Sequence, residues 1–263
     1  MQIIDIIQHL EEQGIWVNRA YQTRDHILFG DSHQEIERIG VCWVATKQVI
    51  QEAIKKDIHF IITHENPFYQ CSTRMMSAAI DAANDKKALL EQNHICVYRC
   101  HDVWDCLPEY GVHDQWAKRL GFTFEERKVS SYYQSAMIPE MSVKELANHV
   151  MNVLKEDGQQ GVYVFGNTDK IVKRITIGTG AATNIYEMLP HHPEAVIVSD
   201  DGIKNYDAVQ YAIDVDIPMI VVHHSCCEIP GMKAMENYLH HVFPMLDVSY
   251  LKEGYDVTHY VCE

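Results

Sequence analysis

The sequence predicts an α/β fold, two-lobed, with mainly parallel or mixed sheets flanked by helices. Three observations lead there. Short apolar runs at 40–45 (Gly-Val-Cys-Trp-Val-Ala), 58–63 (Ile-His-Phe-Ile-Ile-Thr) and 95–100 (Ile-Cys-Val-Tyr-Arg-Cys) read as buried strands. Helical patterns over 46–56 and 74–92 separate them, and strands alternating with helices imply parallel pairing through βαβ units. The rhythm returns in the second half, with strands expected at 161–166, 172–177, 195–198, 218–222 and 257–262 and helices at 181–189, 204–214 and 229–241.

Along the chain, residues 1–12 carry acids and no basic leading region, so they read as an amphipathic helix and not as a secretory signal. Thr46 stands where it can cap the helix over 46–56. Residues 122–145 break the rhythm and read as strands plus loop, after which Ser142 caps a helix running to Leu154. The break places the expected lobes at 1–130 and 131–263.

Composition narrows the function classes. The 263 residues give ample chain for a core, and 47% hydrophobic with 22% charged residues is an ordinary globular mix. Net charge is 22 − 37 = −15, which argues against nucleic acid as the main partner, because such binding rests on Lys and Arg neutralising phosphates. No apolar run is long enough for a transmembrane helix, so no membrane partner is expected. The eight cysteines show no zinc-finger spacing, and adjacent Cys226 and Cys227 cannot easily bridge each other, which suggests reduced thiols in a cytoplasm. Sixteen histidines make metal chemistry the first class to consider.

In open α/β sheets, ligands bind beyond the carboxyl ends of the strands. Three such ends carry a histidine with a carboxylate. Strand 58–63 runs into His64-Glu65-Asn66-Pro67; strand 95–100 into His101-Asp102-Val103-Trp104-Asp105; strand 218–222 into His223-His224-Ser225-Cys226-Cys227-Glu228. Each also has a simpler use: His64 and Glu65 as loop hydrogen-bonding groups, Asp102 or Asp105 as a helix cap. If the third segment is helical, His224 and Glu228 share a face at i and i+4. Cys226 and Cys227 are further potential ligands. Imidazoles with carboxylates suit Mn, Fe or Zn, whereas thiolates would favour a closed zinc site.

The order of these segments resembles the GTP cyclohydrolase I type 2 homologue family, the dinuclear-metal-centre hexameric proteins. Members show a strand ending in Thr-His-His-Pro, a later His-Thr-Asn-x-Asp and a C-terminal Gly-His-x-x-x-Glu. His64, His101 with Asp105, and His224 with Glu228 match, while Glu65 stands at the second histidine and His223 at the glycine. The chain reads as a compact, divergent member. The resemblance implies a metal cleft between two lobes, two divalent ions per subunit (Zn, Fe or Mn), and a homohexamer. It implies His64, Asp105, His224 and Glu228 as metal ligands; the departure at Glu65 puts an anionic oxygen in place of a neutral donor, which either ligates directly as a further metal ligand or leaves one site weak. The function it suggests is a metal-dependent hydrolase that attacks a small polar substrate, a nucleotide-like one among the options, with a dinuclear metal-bound hydroxide. His101 would transfer protons or orient a ligand. The alternatives are a non-catalytic metal-binding or adaptor protein and an α/β binding module without metals.

Two other segments remain open. Gly178-Thr179-Gly180-Ala181 can cradle an anion at a helix start or serve close strand–helix packing. Ser199-Asp200-Asp201-Gly202 can present carboxylates or form a turn that caps a helix. His113, His149 and His259 read as core or surface residues, and Tyr132 to Met137 as an edge strand or interface element.

Overall fold

Residues 1–21, 23–69 and 77–258 are described by a computed structural model. In chain order the elements are α1 (Ile3–Gln13), β1 (His26–Phe29), β2 (Arg38–Val44), α2 (Lys47–Lys55), β3 (Phe60–Glu65), α3 (Ser77–Gln92), β4 (Cys96–Arg99), α4 (Asp102–Cys106) and α5 (Val112–Leu120). Then follow β5 (Gln134–Ser142), α6 (Val143–Leu154), β6 (Tyr163–Phe165), β7 (Ile171–Ile177), α7 (Ile185–Met188), β8 (Ala195–Ser199), α8 (Tyr206–Asp214), β9 (Met219–Val222), α9 (His224–Val242) and β10 (Asp247–Tyr250). None of the described helices is long and apolar enough to cross a membrane.

The chain forms two units, one of residues 1–111 with 231–254 and one of residues 112–230 with 255–263. A single cut at 130 does not describe this arrangement. Residues 231–254 belong with the first unit because β10 pairs in parallel with β2, a partner some two hundred residues earlier that local pattern cannot reveal.

The first unit holds a sheet of order β1-β4-β3-β2-β10. Only β1 runs antiparallel, against β4. The parallel registers set Val44 beside Glu65 and Thr63 beside Arg99, so the carboxyl ends of β2, β3 and β4 lie level. Thr46 caps α2 by accepting from the Val49 amide at 3.3 Å, as the sequence predicts. Ile61, Val97, Ile50 and Leu90 are fully buried in one apolar cluster. Trp104 on α4 is also fully buried, and its indole donates to the Gly231 carbonyl at 2.8 Å. Trp104→Ala removes both packing and hydrogen bond and is expected to destabilise the protein by about 3–5 kcal/mol, measured as a lower urea midpoint.

The second unit holds a sheet of order β5-β7-β8-β9-β6, parallel through β7, β8 and β9 and antiparallel at both edges. Period-two alternation splits its strands between two apolar clusters. Ile197, Ile220 and Val222 enter one, and Val196, Val198, Met219 and Val221 enter the other. Both faces are therefore covered, as a parallel core requires. Ser142 caps α6 through a reciprocal box with Glu145.

Two helices depart from expectation. The span 181–189 contains only the short α7, because Thr179–Ala182 forms a bridged turn and Asn184 caps at Tyr186. The span 229–241 starts earlier, at His224, with Pro230 inside the helix. Of the strand expected at 257–262, only Val257 and Thr258 are described, Val257 bridging to Gln159. The remainder, with His259, lies outside the described residues.

Candidate metal centre

In the first unit, β3 ends on His64 and Glu65. His64 is fully buried. Its Nδ1 lies 3.2 Å from the Cys100 carbonyl oxygen, which can only accept. Nδ1 therefore carries a proton, and in the neutral ring Nε2 keeps the lone pair. That nitrogen lies 3.4 Å from Asp105 Oδ1. A lone pair facing a carboxylate oxygen at this distance needs a positive charge between them, supplied by a proton or a cation.

His101 stacks on His64 with ring centroids 4.3 Å apart and planes 8° from parallel. Its Nδ1 faces Asp105 Oδ2 at 3.1 Å and Asp102 Oδ1 at 3.2 Å, and its Nε2 lies 3.7 Å from Glu65 Oε1. The backbone beneath is fixed by buried Asp25, which accepts from the amides of His101 (2.5 Å) and Val103 (3.1 Å). Asp25 thus caps α4, the task assigned from sequence to Asp102 or Asp105. Asp102 instead accepts from the Thr23 hydroxyl and the Arg24 amide, both at 2.9 Å. Asp105 is left to face the two imidazoles.

Glu65 is held by Arg99, whose Nη2 donates to Oε2 at 2.6 Å while its Nε donates to the His64 carbonyl at 2.9 Å. The sequence reading passed over Arg99, although a cation at the end of an otherwise apolar strand was the available signal.

The electrostatics follow from this crowding. Burial opposes charge on His101, but Asp105, Asp102 and Glu65 outweigh it and hold the imidazolium well above its ordinary range. Burial likewise opposes charge on Asp105, and the His101 and His64 rings outweigh it, so the carboxylate stays ionised far below its usual range. Glu65 is lowered in the same way, burial being overcome by His101, His64 and Arg99.

In the second unit the segment after β9 is helical, so His224 and Glu228 share a face of α9, with Nε2 to Oε2 at 3.0 Å. The other ring nitrogen, Nδ1, lies 2.6 Å from Asp201 Oδ2. The His224 amide donates to Asp200 Oδ1 at 2.6 Å. His223 Nδ1 accepts from the Ser225 amide (3.3 Å) and pairs with the Ser225 hydroxyl at 2.7 Å. Cys227 donates to the His224 carbonyl and accepts from the Gly180 amide, so its thiol is occupied in holding the helix start. The Gly178–Ala181 loop precedes too short a helix to favour an anion. Gly180 (φ +49°) instead lies against His224 and Glu228. His113 and His149 are structural, paired with the Thr179 hydroxyl at 2.7 Å and the Leu120 carbonyl at 2.7 Å.

The donor set fits a divalent ion. One candidate atom from each of His64, His101 and Asp105 lies within 4.8 Å of the others. Two atoms bound to one ion at about 2.0–2.2 Å lie at most roughly 4.4 Å apart, so small side-chain adjustments suffice. Imidazole with carboxylate oxygen suits Zn, Fe or Mn.

A metal entering these clusters must displace protons. Burial opposes protonation of His224, but Glu228 and Asp201 outweigh it and push the ring up to about 11. A raised value stabilises the metal-free fold fully below the ordinary 6.5 and is lost as pH climbs to about 11. Zinc binding at pH 7 is therefore expected to release protons and to tighten as pH rises. Calorimetry in two buffers of different ionisation enthalpy measures this, and equal heats in both would contradict it.

The comparisons with known proteins identify the family and the fold. A model of the family described as Duf34/NIF3 (NGG1p interacting factor 3) matches residues 1–253. A GTP cyclohydrolase 1 type 2 homolog from Clostridium acetobutylicum is 25% identical over 223 residues, 81% of this chain and 80% of that protein. One from Clostridium perfringens is 22% identical over 192 residues, 71% of this chain and 72% of its own length. The crystal structure of a Bacillus cereus protein related to NIF3 superposes with a TM-score of 0.83, covering 99% of both chains at 12% identity. That last likeness shows the shared α/β fold.

Proposed function

The chain belongs to the Duf34/NIF3 family, and from that premise we propose that it is a metal-dependent hydrolase of a small polar, nucleotide-like substrate. The observation that carries the reading is the buried set of His64, His101 and Asp105, in which Nδ1 of His64 is tied to a carbonyl and Nε2 is turned to the carboxylate. The ligands in this reading are His64, Glu65, Asp105, His224 and Glu228, for two divalent ions per subunit. His101, held as the imidazolium between Asp102, Asp105 and Glu65, gives up a proton in the reaction and recovers it afterwards. Bound divalent ions polarise an electrophilic carbon or phosphorus and make water a nucleophile near neutral pH. The names of the Clostridium relatives point to a purine nucleotide as the first substrate to try. A homohexamer and a cytoplasmic location complete the proposal, the latter supported by the buried free thiols of Cys42, Cys96, Cys100 and Cys227.

The test is elemental analysis of protein purified without chelator, followed by a turnover screen of nucleotides, phosphoesters and amides with Zn, Fe or Mn restored. Metal-dependent turnover supports the hydrolase. No turnover with any metal would abandon it.

Complete burial of His64 also favours a second reading, a non-catalytic metal-binding or adaptor protein. Tight or exchanging metal with no rate effect on any substrate selects that reading.

Glu65→His is expected to keep metal and shift selectivity toward softer ions, because a neutral nitrogen replaces an anionic oxygen. It also strips Arg99 of its carboxylate, so a lower thermal midpoint should accompany the change. Metal content from mixed-metal medium reads the selectivity. Unchanged occupancy and selectivity would place Glu65 outside the ligand set.

A further inference from the structure

We propose that Asp201 is the positioning residue of His224, orienting the ring so that Nε2 is its metal-binding nitrogen. The inference rests on the metal-centre reading and adds a residue with a defined task to it.

The geometry is built from backbone upward. β8 ends at Ser199, whose hydroxyl donates to the Gly180 carbonyl at 2.6 Å and accepts from the Asp201 amide at 3.1 Å. This turn aims the Asp201 carboxylate at α9. One oxygen, Oδ1, pairs with the Lys204 ammonium. The other, Oδ2, lies 2.6 Å from His224 Nδ1. An ionised carboxylate only accepts, so the proton of this contact belongs to Nδ1. The opposite nitrogen, Nε2, points at Glu228 Oε2. The neighbouring Asp200 fixes the backbone of the same residue through its amide. Two consecutive acids from one turn thus hold both the main chain and the ring of one histidine.

A carboxylate behind a ligating imidazole does two things. It settles which nitrogen is protonated, and it makes the other a stronger donor. Without Asp201, the Glu228 carboxylate would hold the proton on Nε2 and leave Nδ1 as the donor nitrogen. The simpler use of the Ser199–Gly202 segment, a turn that caps, is also present, since Ser199 accepts from the Asp201 amide. That use needs the backbone of Asp201 and leaves its carboxylate unexplained.

The experiment compares the wild-type protein with Asp201→Asn, Asp201→Glu and His224→Ala. Zn²⁺ affinity is measured by competition with a chromogenic chelator, the ligand field by Co²⁺ absorption, and folding by circular dichroism. His224→Ala identifies the ion to which His224 contributes. For that ion, Asp201→Asn is expected to bind Zn²⁺ about 10–100-fold more weakly and to shift the Co²⁺ bands, with the fold intact. Asp201→Glu should recover much of the affinity, which loss of a merely structural turn would not predict. Asp201→Ser, which can retain the turn, gives the same reading should the amide variant fail to fold. Wild-type affinity and an unchanged Co²⁺ spectrum in Asp201→Asn or Asp201→Ser overturn the inference alone, provided His224→Ala loses the ion. If the wild type binds neither metal, or His224→Ala binds as the wild type does, the metal-centre reading of His224 falls and the inference with it.

Discussion

Asp105→Ala is expected to reduce divalent-metal affinity by more than the roughly 10–100-fold typical of a lost outer partner. The side chain is buried and faces both stacked rings, Oδ1 toward His64 and Oδ2 toward His101. Its removal deletes a ligand, takes away the carboxylate that faces His64 Nε2 and leaves His101 to Asp102 and Glu65. The metal-free protein should also lose stability. Removing one member of a buried charged pair costs about 3–5 kcal/mol, and this loss should fall at the lower end because His101 can shed its proton. The loss should be greatest between the ordinary aspartate value of 3.8 and the ordinary histidine value of 6.5. His101, raised in the fold, contributes stability that fades as pH rises through its folded value. Asp105, lowered in the fold, contributes stability that fades as pH falls through its own. Chelator competition and urea unfolding across pH read both effects. A variant that binds zinc like the wild type would remove Asp105 from the ligand set.

Gly180→Ala is expected to damage both the stability of the second unit and its metal binding. The backbone there is left-handed, at φ +49°. A methyl group would lie 2.6 Å from His224 Nε2 and closer still to Glu228 Oε1. Left-handed strain adds about 1–2 kcal/mol and overpacking about 1–3 kcal/mol. Either the loop moves or the His224–Glu228 pair opens. The expected result is a loss of roughly 2–5 kcal/mol, from those same two contributions, together with at least tenfold weaker zinc binding. Wild-type stability and affinity together would show that the loop yields freely.

Much of the candidate site was legible because its residues announce themselves locally. His64-Glu65, His101 with Asp105, and His224 with Glu228 each follow an apolar strand, and the strand-end rule needs no tertiary knowledge. The residues that hold them were harder to find. Asp25 serves His101 from far along the chain, and Arg99 and Glu65 meet only because β3 and β4 are neighbours in register. Asp201 was visible as a carboxylate but not as a partner of His224. Strands β1 and β10 escaped notice because each is short and lies at a sheet edge, half-buried, where periodic pattern is weakest. The start of α9 was obscured by Pro230, which reads as a helix beginning although the preceding turns are already helical.

The return of residues 231–254 to the first unit has a consequence for synthesis. As the nascent chain leaves the ribosome at about 5–20 residues per second, β2 emerges some two hundred residues ahead of β10 and waits with one edge unpaired until that strand appears. Throughout that interval the growing polypeptide exposes a template on which a stray segment could pair. The amino-terminal half therefore matures only after the stretch between has been made, in the reverse of the usual vectorial order.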